Sequence, residues 1–253
     1  MRRLQRRRGY MQATEHAGGV VSANPFISEE YFFELHDRAD IRVHMCRFSP
    51  EQYEDDLFHR FGIHCPDQIS RAVPKRRMEY LAGRYSAKAT LQAFPVETSQ
   101  VIIGANRCPV FPSPLMGSIY HSRNVACCSV SQSDGITALG VDIEHFIAGE
   151  QVIDIGDSVI NDDESRLLIS FTYPYNQLFT AVFSAKESLF KALYPQAGFY
   201  FGFDYAALRH LEPDNHIMVF ELTKPISKAF PKGKMIFTRY YFMADKVFTL
   251  VAV

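Results

Sequence analysis

Apolar and polar positions recur along this chain with two different periods. From about Lys75 to Phe94 apolar side chains return every three or four residues, which predicts a helix introduced by Pro74. Met78, Leu81, Ala82, Tyr85 and Ala89 share one face of it, and Arg77, Arg84 and Lys88 share another. A second helix is predicted from about Gln177 to Tyr194, stopping at Pro195. Leu178, Val182, Ala185, Leu189 and Leu193 make its apolar face, while Thr180, Ser184, Glu187 and Lys191 form one polar stripe. Pro50 to Phe61, an acidic and aromatic stretch after Ser49, is also expected to be helical. Short strands are expected at Val101–Ile103, after a Pro-rich segment within Gly117–Val130, and at Ala138–Glu144. Met218–Leu222, Lys234–Met243 and Val247–Val253 read as an antiparallel sheet. Strands and helices in both halves give an α+β fold class.

The two helices echo each other. Arg84-Tyr-Ser-Ala-Lys-Ala-Thr-Leu91 and Val182-Phe-Ser-Ala-Lys-Glu-Ser-Leu189 align at a constant offset, with Glu187 in the second copy where the first has Ala89. The likeness is either that of two amphipathic helices alike by chance or that of a duplicated α/β unit, with two pseudo-symmetric lobes and a cleft between them. In the second case residues 25–137 make an N-terminal lobe and 138–253 a C-terminal lobe. Residues 1–24, which hold five arginines within the first eight positions, are expected to be a flexible basic tail or an extended start. No apolar run follows the arginines, so they are not a secretory signal.

Composition narrows the function classes. The chain has 253 residues, a formal net charge of -1 and a hydrophobic fraction of 47%. A near-neutral chain gives no case for nucleic-acid binding through a whole-surface basic field. No run reaches the length of about 20 apolar residues that spans a bilayer. Five cysteines without CxxC spacing argue against a disulfide scaffold or a thiolate zinc site, and for a reducing cytoplasm.

The strongest local motif is Gly140-Val-Asp-Ile-Glu144. Asp142 and Glu144 stand two apart on a strand, so both carboxylates face the same side. They are either a solvated strand face or an oxygen-only cation site open to phosphate oxygens, which suits Mg²⁺. On the second helix Glu187 and Lys191 read as an exposed ion pair or as a third carboxylate with its charge partner. Lys186 lies off the polar stripe, so it either snorkels past Phe179 and Phe190 or aims its amine into a cleft. The first helix starts with Lys75, Arg76 and Arg77, a placement that the helix dipole disfavours and an anion would relieve. Between the helices lies Gly117-Ser-Ile-Tyr-His121-Ser122. No GxSxG, P-loop or GxGxxG motif is present.

In this order, four segments resemble the 4'-phosphopantetheinyl transferases of the siderophore-synthase type, the enterobactin synthase component D-like enzymes. They are Lys75–Arg84, Phe111–Ser122, Gly140–Glu144 and Phe183–Ala192. The resemblance implies a two-lobed transferase that moves the 4'-phosphopantetheine of coenzyme A to a serine of an apo carrier protein and releases 3',5'-ADP. Asp142, Glu144 and Glu187 match the family's Mg²⁺ ligands, and Glu187 would take the serine proton. Lys191 would help 3',5'-ADP leave. Arg76, Arg84, His121 and Lys186 match phosphate-contacting positions, with Arg107 replacing a family lysine whose place Asn106 takes. Further departures are Phe111 and Phe183 for tryptophans, Pro114 for a glycine, and Tyr120 for a serine. The implied partner is a peptidyl or aryl carrier domain of nonribosomal siderophore synthesis, docking near residues 147–177. The alternatives are the same transfer to fatty-acid or polyketide carriers, and a non-catalytic coenzyme A-binding scaffold.

Overall fold

The computed structural model describes residues 24–33, 35 and 38–253. The arginine-rich start, and with it nearly all of the expected tail, lies outside the described residues. Helices and antiparallel strands are mixed throughout, as the two periods in the sequence require. Among the described residues the chain forms two compact units, one running to Val141 with Ala252–Val253 added, the other Asp142–Val251.

The N-terminal unit is built on a four-stranded sheet. β1 (Ile27–Phe33) and β2 (Ile41–Phe48) pair antiparallel. The next pieces are two single-turn helices, α1 (Leu57–Arg60) and α2 (Asp67–Ser70), then α3 (Pro74–Leu91). A two-residue ladder, β3 (Ile102–Ile103) with β4 (Pro109–Val110), precedes the hairpin of β5 (Met116–Ser122) and β6 (Val125–Ser131). Sheet order is β1-β2-β6-β5, and α3 packs on β2, β5 and β6. Val73 is extended and Pro74 opens α3, so the fixed proline φ sets the helix start. The expected helix over Pro50–Phe61 is not continuous: a 3-10 turn at Pro50–Gln52 is followed by α1. Tyr53 takes an extended conformation (φ -77°, ψ 130°), which breaks the helix after one turn, and Ser49 makes no side-chain cap.

The C-terminal unit continues from β7 (Leu139–His145) into α4 (Gly149–Val159), α5 (Asp162–Ile169) and α6 (Tyr175–Ala197). β8 (Ala206–Glu212), β9 (Ile217–Leu222), β10 (Met235–Phe242) and β11 (Lys246–Ala252) follow, in sheet order β7-β11-β10-β9-β8. On β10 Ile236, Thr238, Tyr240 and Phe242 are buried while Met235 and Phe237 are exposed, the period-two pattern of a half-covered sheet.

α6 outruns its expected stop. Pro195 lies inside the last turn, where its missing N–H removes one hydrogen bond, and the helix ends at Gly198 in the left-handed region (φ 70°). The helix is also buried on more than its apolar face. Leu178, Phe179, Val182 and Leu193 are fully buried, each worth roughly 1.5–3 kcal/mol. Thr180, Ser184 and Ser188 of the polar side are equally inaccessible and must find partners inside. The acidic stretch after β7 folds into α4 and α5, and α5 opens on a capping box formed by Asn161 and Glu164.

Candidate functional site

β7 and α6 build the first cluster from residues of the C-terminal unit. Asp142, 2% exposed, accepts the Ser184 hydroxyl at 2.7 Å on Oδ2 and the Lys191 ammonium at 2.6 Å on Oδ1. Ser184 is held in turn against Thr249 Oγ1 at 2.9 Å, and Ser188 reaches the same atom at 2.7 Å. This chain of hydroxyls explains the buried side of the polar stripe: it orients a carboxylate. Glu187 is half-buried on the same helix. Burial pushes its carboxyl above the usual carboxylate range, the Asp142 charge pushes it further, and Lys191 draws it back. Glu144, two residues along β7 from Asp142, is partly exposed.

Two carboxylates that oppose each other's ionisation form a donor set that a hard cation stabilises, and all three expected ligands are oxygen donors. Among the described residues, no group of three or more His, Cys, Asp or Glu side chains is gathered into a cation cage. Asp142, Glu144 and Glu187 are thus not gathered into such a group; Asp142 and Glu187 are close enough to act on each other's charge, and Mg²⁺ is usually held by one or two carboxylates with water and substrate phosphates.

Beside Glu187 lies a cavity of about 140 Å³ whose walls include Phe190, Tyr200, Phe201 and Phe203. Lys186 also borders it, but its amine is engaged within the protein. It donates to Glu164 Oε1 at 2.8 Å and to the Val159 carbonyl at 2.7 Å, and both side chains are only 2% exposed. This differs from the phosphate contact that the resemblance implies for Lys186.

The N-terminal unit has its own pocket, a cavity of about 350 Å³ between the start of α3, β5 and the β3–β4 loop. Arg76, Arg84, Arg107 and His121, four residues singled out from sequence, all line it, as does Tyr80. Arg76 Nη1 stands 3.2 Å from His121 Nε2. The Arg84 guanidinium lies over the Tyr80 ring at 4.5 Å, and burial lowers its proton affinity. Arg84 is therefore not part of a solvated charged face; it is 9% exposed, and its Nε has no hydrogen-bond partner among the described residues. A pocket with three guanidinium groups converging on it suits a phosphate.

The departures from the family pattern fall unevenly around this pocket. Tyr120 is buried and does not border the cavity, because strand alternation turns it away from Ile119 and His121. Asn106 and Arg107 both have positive φ (53° and 64°), and of the two only Arg107 lines the cavity. Holding a non-glycine residue there costs on the order of 1 kcal/mol, and such strain collects at binding sites. Phe111 covers Gly117, whose Cβ, if it had one, would sit 2.4 Å from the ring.

Sequence reasoning missed Tyr80 and Glu164. Tyr80 precedes Arg84 by one helical turn, a spacing that allows ring–guanidinium stacking. Glu164 is signalled by the Asn-x-x-Glu capping pattern.

Comparisons with known proteins identify the family of each half of the chain. Residues 66–131 match the family model of the 4'-phosphopantetheinyl transferase N-terminal domain. Residues 138–234 match that of the 4'-phosphopantetheinyl transferase superfamily. Enterobactin synthase component D of Salmonella typhi is 30% identical over 211 residues, covering 83% of this chain and 86% of that protein. Its counterpart from Escherichia coli O157:H7 is 33% identical over 160 residues, 62% of this chain and 74% of that protein. The 4'-phosphopantetheinyl transferase Svp of Streptomyces mobaraensis is 29% identical over 174 residues, 69% of each chain.

Proposed function

The chain belongs to the 4'-phosphopantetheinyl transferase superfamily, and from that membership we propose how its residues divide the reaction. It moves the phosphopantetheine group of coenzyme A to an apo carrier protein. The observation that carries the assignment of roles is the Asp142–Lys191 contact beside a half-buried Glu187.

Asp142, Glu144 and Glu187 are the residues that would hold Mg²⁺, which would neutralise the charge of the pyrophosphate during transfer. Glu187 accepts the proton of the carrier serine, a task that suits a carboxyl whose proton affinity is raised by burial. Lys191 offers a positive charge to the departing 3',5'-ADP, and Asp142 keeps that ammonium in place. Arg76, Arg84, Arg107 and His121 hold the 3'-phosphate of coenzyme A. Positioning and charge neutralisation supply the rate.

The carrier is a peptidyl or aryl carrier domain of nonribosomal siderophore synthesis, a reading supported by the enterobactin synthase relatives. It docks on α4 and α5, where Ile153 and Ile169 are 82% and 68% exposed and a groove of about 310 Å³ runs past Leu168, Phe171 and Tyr173. The same helices bear Asp154, Asp157, Asp162 and Asp163, so apolar contact rather than charge draws the carrier in. All five cysteines are free thiols, in keeping with a cytoplasmic enzyme. Among the described residues no helix is long and apolar enough to cross a membrane.

Intact mass of an apo carrier domain after incubation with the protein, coenzyme A and Mg²⁺ tests the reading. One added phosphopantetheine is expected on a peptidyl or aryl carrier, none with Glu187→Ala. Equal rates on a fatty-acid carrier would remove the siderophore assignment. Ile153→Asp and Ile169→Asp should raise the KM for the carrier and leave that for coenzyme A alone; an unchanged carrier KM would sink the docking site.

A further inference from the structure

The internal echo places Lys88 of α3 and Lys186 of α6 at equivalent positions. Both amines do the same thing. Lys88 donates to the Phe61 carbonyl at 2.7 Å, at the end of α1, and Lys186 donates to the Val159 carbonyl at 2.7 Å, at the end of α4. Each fills an acceptor that a helix terminus leaves open. In both units this lysine ties the long helix to the end of a preceding shorter one.

Among the described residues, the second copy alone adds an acid. Glu164, 2% exposed, accepts from Lys186 and from the Leu208 N–H (2.7 Å) on Oε1, and from the Asn161 N–H (2.9 Å) on Oε2. One carboxylate thus joins the start of α5, strand β8 and α6, and Lys186 adds the end of α4. The next residue on α6 is Glu187, which replaces Ala89 of the first copy.

We infer that Glu164 and Lys186 form a positioning link for the transfer reaction, fixing the turn of α6 that presents Glu187, and that Lys186 is not a phosphate ligand. The inference rests on the transferase reading. A buried amine already bonded to a carboxylate and a carbonyl would have to give up those partners to reach a phosphate. Removing either partner leaves the other charge buried without compensation, whereas removing both does not.

The test is steady-state transfer by the full chain, with coenzyme A, Mg²⁺ and an apo carrier, for Glu164→Gln, Lys186→Met and the double variant, with melting temperatures alongside. Each single change should lower kcat on the order of tenfold or more, as misplacement of a catalytic group does. KM for coenzyme A should stay within about twofold, because no ligand contact is lost. The double variant should regain the melting temperature and keep the low kcat. A large rise in coenzyme A KM for Lys186→Met alone would make Lys186 a phosphate ligand and overturn the link. A kcat that returns with stability in the double variant would reduce the pair to a structural role, also overturning it. If the single variants do not fold, the double variant decides by the same two readouts. An inactive wild type would overturn the transferase reading as well, an outcome distinct from active wild type with unaffected variants.

Discussion

Lys191 and Asp142 meet at 2.6 Å, so the buried carboxylate of β7 holds an ammonium on the same helix as Glu187. The contact acts on Glu187 through charge. Burial and Asp142 raise the Glu187 carboxyl, and Lys191 opposes them. In Lys191→Met that opposing charge is gone and the Glu187 carboxyl rises further. Proton abstraction needs the carboxylate, so activity is lost as pH falls through this value. The acid limb of the kcat–pH profile should therefore move to higher pH in the variant, and kcat on its plateau should fall by about 10²-fold or more from loss of leaving-group stabilisation. An acid limb in the same place would show that Lys191 does not act on Glu187.

The same shift predicts a conflict between stability and activity at Glu187. Its proton affinity is higher in the folded chain than in the unfolded one, so at pH values above the shifted range folding carries a penalty for the charged form. Below the unfolded value both states are protonated and the penalty vanishes. Glu187→Gln removes the charge, so at pH 7–8 it should melt a few degrees higher than the parent while losing transfer. That gain should fade when both are melted at acid pH. Added Mg²⁺ should raise the melting temperature of the parent and not of the variant, since a ligand that binds only the folded state stabilises it.

The basic pocket makes a prediction that is specific to one phosphate group. A charge-assisted hydrogen bond is worth about 1.5–3 kcal/mol, or roughly 10- to 150-fold in affinity. Arg84→Gln should raise the KM for coenzyme A by a factor in that range and leave kcat close to the parent's. With coenzyme A lacking its 3'-phosphate, parent and variant should have nearly equal KM. A penalty that persists with the dephosphorylated substrate would mean that Arg84 serves the fold through Tyr80 instead.

The elements legible in the sequence are those whose periodicity matches their burial. β10 is of this kind, since its buried and exposed positions alternate along the strand. α6 was only half legible. Thr180 and Ser184 of its polar stripe are buried, and Ser184 pairs with Asp142 and Thr249, residues distant in sequence about which a single-helix projection contains no information. The capping box opening α5 was written in the sequence but sits in a run of acids, where a helix N-terminus and a solvated loop have the same composition. β8, whose Leu208 N–H bonds to Glu164, breaks its alternation at Arg209 and His210 with a bulge, so no clean period-two signal exists. In the basic pocket the residue types were readable, but the stacking of Arg84 on Tyr80 and the left-handed turn at Arg107 belong to the folded backbone.

Gly83 of α3 packs against β5, the strand that bears His121. A Cβ there would lie 3.1 Å from Ile119 Cγ2 and 3.3 Å from His121 Cδ2. Gly83→Ala sets two effects against each other. Alanine favours a helix interior by about 1 kcal/mol over glycine. Forcing a methyl group into a packed contact costs about 1–3 kcal/mol, and Ile119 and His121 are anchored on a strand that cannot retreat freely. The second effect should win, giving a net loss of stability on denaturant titration. His121 should be displaced with it, so the KM for coenzyme A should rise in the same variant. Gly156 of α4 is the control, because nothing lies within 4 Å of its Cβ position. Gly156→Ala should keep the helix gain, up to about 1 kcal/mol, and leave coenzyme A binding unchanged. If the two alanine variants are equally stable, the close approach at Gly83 does not constrain the pocket.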